Sequence, residues 1–116
     1  MPFRSPDASL PLTPISFEIL LALADGDRHG YAILQAVEGR VAGVLPMRTG
    51  TLYRALARLL DEGLIERSAS ADGDDERRRN YRITARGRTV ARAEARRLAD
   101  QVEAARAHRL LPEPRR

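Results

Sequence analysis

A chain of 116 residues with 43% hydrophobic side chains has room for one domain and a small core, which must be aliphatic, because only three Tyr and two Phe are present and Trp is absent. The lack of cysteine excludes disulfides and thiolate chemistry and suits a reducing cytoplasm, the N-terminus lacks the apolar run of a secretory signal, and nothing approaches the roughly 18 apolar residues of a membrane span. All 20 basic side chains are arginine, and the net charge of +4 is uneven: residues 1–47 carry three Arg against five acids, and residues 48–116 carry 17 against 11, which suits a polyanionic partner.

Residues 1–12 hold Pro2, Pro6 and Pro11 and no periodicity, and read as a flexible arm. Thr13 and Pro14 form a cap and first-turn pair, and Ile15, Ile19, Leu20 and Leu23 mark an amphipathic helix to about Ala24. Asp25-Gly26-Asp27 turns the chain into a second helix from about His29 to Arg40. Its stripe of Tyr31, Leu34, Val37 and Val41 assigns Tyr31 to the core, and His29 caps or flanks the helix. Gly43 and Pro46 break the pattern. A third helix covers about Thr49 to Glu62, with Leu52, Leu56, Leu59 and Leu60 facing inward and Gly63 as the stop.

Ile65 to Ser70 and the alternating segment around Tyr81 and Ile83 predict two strands of a hairpin, with Asp72-Gly73 as its turn signal. One shoulder of the hairpin is acidic (Asp72, Asp74, Asp75, Glu76) and the other basic (Arg77, Arg78, Arg79). Thr84 caps a fourth helix from Ala85 to about Leu110. There Ala91, Ala95, Leu98, Val102 and Ala105 recur at spacings of 4, 3, 4 and 3, a narrow apolar seam flanked by the pairs Glu94–Arg97, Arg96–Asp100 and Glu103–Arg106. A long helix with such a seam needs a cover, and a second copy of the chain is the simplest one.

The start of the third helix carries the chemistry. Arg48, Thr49, Thr51 and Arg54 offer hydroxyls and guanidinium forks that can read base edges and phosphates in a major groove, at an end where free N–H groups also attract phosphate. The plainer reading makes the threonines caps and the arginines solvated. Gly50 either lets a phosphate backbone approach or is a tolerated first-turn glycine, and Tyr53 either donates to a phosphate or is core. Arg77, Arg78 and Arg79 reach DNA beside that groove or pair with the neighbouring acids. His29 and His108 lack companions for a metal, and no nucleophile–base pair or phosphate loop occurs, so neither catalysis nor a cofactor is expected.

The segments HGYAIL (29–34), GTLYRALARLLDEGLI (50–65) and RRRNYRITARGR (77–88) resemble the PadR family of bacterial transcriptional regulators, from about Thr13 to Leu110. The resemblance implies a winged helix-turn-helix, mainly α with a small β-hairpin, and a long C-terminal dimerisation helix, as in the smaller subfamily. It also implies a homodimeric repressor on an inverted-repeat operator. Where the family often has a small capping residue this chain has Arg48, so Thr49 is expected to take over the cap. The tryptophan with which some small members stack flat drugs is absent.

The expected organisation is an arm over 1–12, a DNA-binding domain over 13–84, a dimerisation helix over 85–111 and a disordered tail over 112–116. The expected partners are double-stranded DNA, a second copy through Ala91, Ala95, Leu98, Val102 and Ala105, and an inducer of unknown identity; no membrane is involved. Two other readings stand beside this one: a winged-helix adaptor for another protein, and a ligand sensor whose inducer binds at the dimer interface.

Overall fold

Thr13 opens the first helix as predicted: its hydroxyl accepts the Ser16 N–H and Pro14 occupies the first turn. The computed structural model describes residues 10–45, 47–68 and 79–114. In chain order these form α1 (Pro14–Leu23), β1 (Arg28–His29), α2 (Gly30–Val41), α3 (Thr49–Asp61), β2 (Ile65–Ser68), β3 (Asn80–Ile83) and α4 (Ala85–Ala107). The strands make one antiparallel sheet of order β1-β3-β2, the winged helix-turn-helix arrangement with a long last helix. None of the described helices is long and apolar enough to cross a membrane.

The core is aliphatic, as the composition requires. Ile19, Leu20 and Leu23 of α1, Ile33 and Val37 of α2, and Leu52, Leu56 and Leu59 of α3 are all fully buried with Leu64 and Ile65. Leu60, assigned to the same stripe, is only half-buried. Each fully buried aliphatic side chain contributes about 1.5–3 kcal/mol.

Three sequence expectations need correction. Tyr31 is 47% exposed, because the inward face of α2 is Gly30, Ile33, Leu34, Val37 and Val41 and the next residue after Gly30 is turned away by one helical step. The hairpin gains a third, two-residue strand, β1, which pairs Arg28 with Tyr81 and His29 with Asn80. Thr49 does not take over the cap: α3 begins at Thr49 itself, and Arg48 holds the extended N-cap position without a side-chain cap bond.

Helices α3 and α4 end in the same turn. After α3, Gly63 adopts φ 74°, and the N–H groups of Gly63 and Leu64 donate to the carbonyls of Leu60 and Leu59. After α4, Arg109 takes the left-handed position at φ 62°, and Arg109 and Leu110 donate to Arg106 and Ala105. Glycine suits that conformation; an arginine there costs roughly 1–2 kcal/mol. Pro112, at the start of the expected tail, accepts a hydrogen bond from Arg106 Nε.

The N-terminal residues within reach are tied down. The expected arm lies mostly outside the described residues, but Leu10 and Leu12 pack on the core and the Leu12 N–H donates to Glu94 Oε2 at 3.0 Å. Glu94 is 1% exposed, so it lies inside α4's packed face and not on its solvated flank. That face is Gly87, Val90 and Glu94. The predicted seam sits one residue further round the helix, and its members are half-buried (Ala91, Leu98, Ala105) or exposed (Ala95, Val102).

Candidate nucleic-acid interface

The buried stripe of α3 decides what its first turns can present. With Leu52, Leu56 and Leu59 held in the core, Arg48, Thr49, Gly50 and Arg54 are exposed and Thr51 is half-exposed. Tyr53 is half-buried and packs against the core, so its ring serves the fold whatever its hydroxyl contacts. The guanidinium of Arg54 lies back over Gly50, one turn earlier, where a Cβ would stand 3.5 Å from its NH1 nitrogen. That is ordinary van der Waals contact, so the fold itself does not demand glycine at position 50.

The start of α2 is joined to the returning strand of the wing: the Gly30 N–H donates to the Arg79 carbonyl at 3.1 Å. Arg79 is half-buried, and its Nε has no hydrogen-bond partner. Arg77 and Arg78, with the acidic shoulder and the predicted turn, lie outside the described residues. Arg67, on β2 opposite Tyr81, is exposed. In the sequence it stands alone, apart from the run Arg77–Arg79, and carries no signal of its own.

Several of the arginines are engaged within the chain itself. Arg28 Nε and Arg88 NH2 donate to the carbonyls of Ala22 and Ala24 at the end of α1, at 2.8 and 3.1 Å. Arg86 Nε donates to Glu62 at the end of α3, at 3.3 Å. Cations at helix C-termini meet both unpaired carbonyls and the negative end of the dipole. Arg40 pairs with Glu18 at 2.5 Å and Arg82 with Glu66 at 3.2 Å. The arginine excess of residues 48–116 is therefore partly a set of caps, and less of it is available to a polyanion than the charge count suggested.

Among the described residues Glu94 is the buried charged side chain. Arg97 grips it with Nε at 2.6 Å and NH2 at 3.1 Å, and the Leu12 amide adds a third donor. The Arg97 hydrogen bond holds the Glu94 carboxyl below its ordinary range; burial opposes this and the Leu12 amide reinforces it. Of the other two expected pairs on α4, Glu103 with Arg106 forms and Arg96 with Asp100 does not. Among the described residues no three His, Cys, Asp or Glu side chains gather to hold a metal.

Residues 19–93 match the family model of the transcriptional regulator PadR-like family. A protein from Lysinibacillus sphaericus is 33% identical over 70 residues, which are 60% of this chain and 64% of that protein. A 37.1 kDa protein in transposon TN4556 of Streptomyces fradiae is 42% identical over 81 residues, which are 70% of this chain and 22% of that protein. The chain thus spans less than two thirds of either curated relative. In fold it is similar to a crystal structure of a PadR family transcription regulator from Clostridium difficile R20291, with a TM-score of 0.69 at 24% identity, over 83% of this chain and 98% of that one.

Proposed function

The chain belongs to the PadR-like family of transcriptional regulators, DNA-binding proteins and not enzymes, and from that premise we propose that it is a cytoplasmic homodimeric repressor that binds an inverted-repeat operator. The observation that carries this reading is the split of α3 into a buried leucine stripe and an exposed first turn. In this reading Arg48, Thr49, Gly50, Thr51 and Arg54 enter the major groove, with Tyr53 at its margin. Arg54 and the threonines contribute sequence preference through base edges. Arg77, Arg78 and Arg79 contact phosphates beside it and contribute affinity through counterion release.

The dimer is supported by the second half of α4, which extends past the core with Val102 42% exposed. Two copies joined through Ala91, Ala95, Leu98, Val102 and Ala105, with help from α1, hold two recognition helices. Those helices read half-sites about 34–36 Å apart in ordinary helix-turn-helix geometry. Repression follows from occlusion of a promoter, and an inducer bound near the dimer interface acts by changing that spacing.

The test is a gel shift and footprint on DNA from upstream of the chain's own gene, repeated over a salt series. The expected result is protection of two half-sites, with an affinity that falls linearly with salt on logarithmic axes. Equal, unpatterned binding to operator-region and random DNA would overturn the reading.

A further inference from the structure

A cleft of about 230 Å³ opens where α3 ends, at the far end of that helix from Thr49 and Gly50. Its walls are residues 10–13, Ser16 in the first turn of α1, and Arg58 and Glu62 at the close of α3. Ser16 is 4% exposed; its N–H is taken by Thr13 Oγ1, and its hydroxyl makes no hydrogen bond among the described residues. The Arg58 guanidinium and the Glu62 carboxylate stand one helical turn apart, yet neither joins an ion pair among the described residues. Arginine ahead of glutamate is the weaker order for a pair along a helix. The nearby charges on α4 do not compete for them, because Glu94 and Arg97 are bound to each other.

We propose that this cleft binds a small free amino acid. The carboxylate of the ligand accepts from the Arg58 guanidinium and the Ser16 hydroxyl, and its ammonium donates to the Glu62 carboxylate. The chemistry follows from the charges on the walls. A guanidinium offers a carboxylate a two-pronged, charge-assisted contact. A simple anion would meet Arg58 but bring a like charge toward Glu62, and a simple cation would do the reverse toward Arg58. A zwitterion satisfies both, and it also supplies the partner that a buried hydroxyl requires.

Size limits the ligand further. The cleft is smaller than the roughly 300–1,000 Å³ of sites for drug-sized molecules, so the side chain it admits is short. Leu10, Pro11 and Leu12 give that side chain an apolar wall, which is itself held in place where Leu10 and Leu12 pack on the core. The walls also belong to two parts of the fold. Arg58 and Glu62 are carried by α3, and the 10–13 segment is fastened to α4 through the Leu12 N–H on Glu94. A ligand in the cleft therefore touches α3 and the segment tied to α4 at once. The site shares no residue with the first turn of α3 or with the apolar seam of α4, so the inference stands apart from the operator and dimer readings.

The test is thermal melting of the full-length chain with L-alanine, L-serine, L-valine and L-proline, each added singly over a concentration series. The expected result is a saturable rise in Tm with at least one of them, as mass action requires of a ligand that binds only the folded state. The N-acetyl and amide forms of that amino acid, each lacking one of the two charges, should leave Tm unchanged. Arg58→Gln and Glu62→Gln should each weaken the binding by roughly tenfold or more. Neither side chain is part of the core or of an ion pair, so both variants keep the fold, and their own melting curves verify it. In NMR titration the shifts should gather at the Leu12 and Ser16 amides. No rise in Tm with any of the four overturns the proposal. So does a rise that the two variants or the singly charged forms reproduce in full, or shifts that gather on α4 at Ala95 and Ala99 instead.

Discussion

Gly87 lies directly against the carbonyl of Leu64: a Cβ at that position would stand 2.0 Å from the oxygen and 2.8 Å from Ile83 Cγ1. The contact is where the first turn of α4 meets the chain leaving α3. Thr84 Oγ1 secures the junction by accepting the Gly87 N–H at 2.9 Å and donating to the Gly63 carbonyl at 2.7 Å. The glycine that closes YRITARG (81–87) is thus required by packing. Gly87→Ala is expected to cost about 1–3 kcal/mol, because backbone has to move. Thermal melting checks this, at about 4–8 °C per kcal/mol for a chain of this size, and an unchanged Tm would refute it.

Gly50 is the opposite case. It is exposed, and a methyl there makes only ordinary contact with Arg54. Gly50→Ala should leave the fold intact and raise its stability by up to about 0.5–1 kcal/mol, since alanine is the better helix former. In the proposed reading the added methyl stands where DNA approaches, so operator affinity should fall. A variant with unchanged affinity would mark Gly50 as merely a tolerated first-turn residue.

Arg54 and Arg78 should differ in kind. Arg54→Ala is expected to cost about 1–3 kcal/mol on operator DNA and much less on random DNA, the mark of a residue that reads bases. Arg78→Ala should weaken both and reduce the salt slope by about 1, the mark of a phosphate contact. Fluorescence anisotropy on both DNAs over a salt series separates the two. Equal losses on the two DNAs for Arg54→Ala would remove it from the specificity set.

Much of this architecture is legible in the sequence, and the failures share a cause. Thr13–Pro14, Gly63 and Thr84 work through neighbours within a few residues, so spacing alone places the ends of α1, α3 and α4. What spacing cannot show is a partner far along the chain. β1 has two residues, too few for any alternation, and exists because β3 lies beside it. Arg28, Arg86 and Arg88 look like free cations until the helix ends they cap are brought to them. At the site, the leucine stripe told which residues of α3 face outward. The caps around it show that the excess charge overstated the surface left for DNA.

Glu94 gives a pH signature. Its carboxyl is held below the ordinary value of 4.5, chiefly by Arg97, so ionised Glu94 contributes its full stabilisation above that value. The contribution is lost as pH falls through the lowered value. Urea unfolding of the parent chain and Glu94→Gln should therefore show a stability gap at neutral pH that persists at the ordinary value of 4.5 and narrows only below it. A gap that stays constant across that range would show that ionisation of Glu94 contributes nothing.

The Leu12–Glu94 hydrogen bond spans 82 residues of sequence and fastens the segment before α1 to the last helix. A single amide proton therefore reports on the docking of a whole element. Exchange at Leu12 requires that α4 lift from the body or that the segment before α1 peel away. Followed by NMR in the free protein and with DNA, this one resonance records how firmly α4 is anchored to the body of the domain, and, in the proposed dimer, how firmly the recognition helices are held apart.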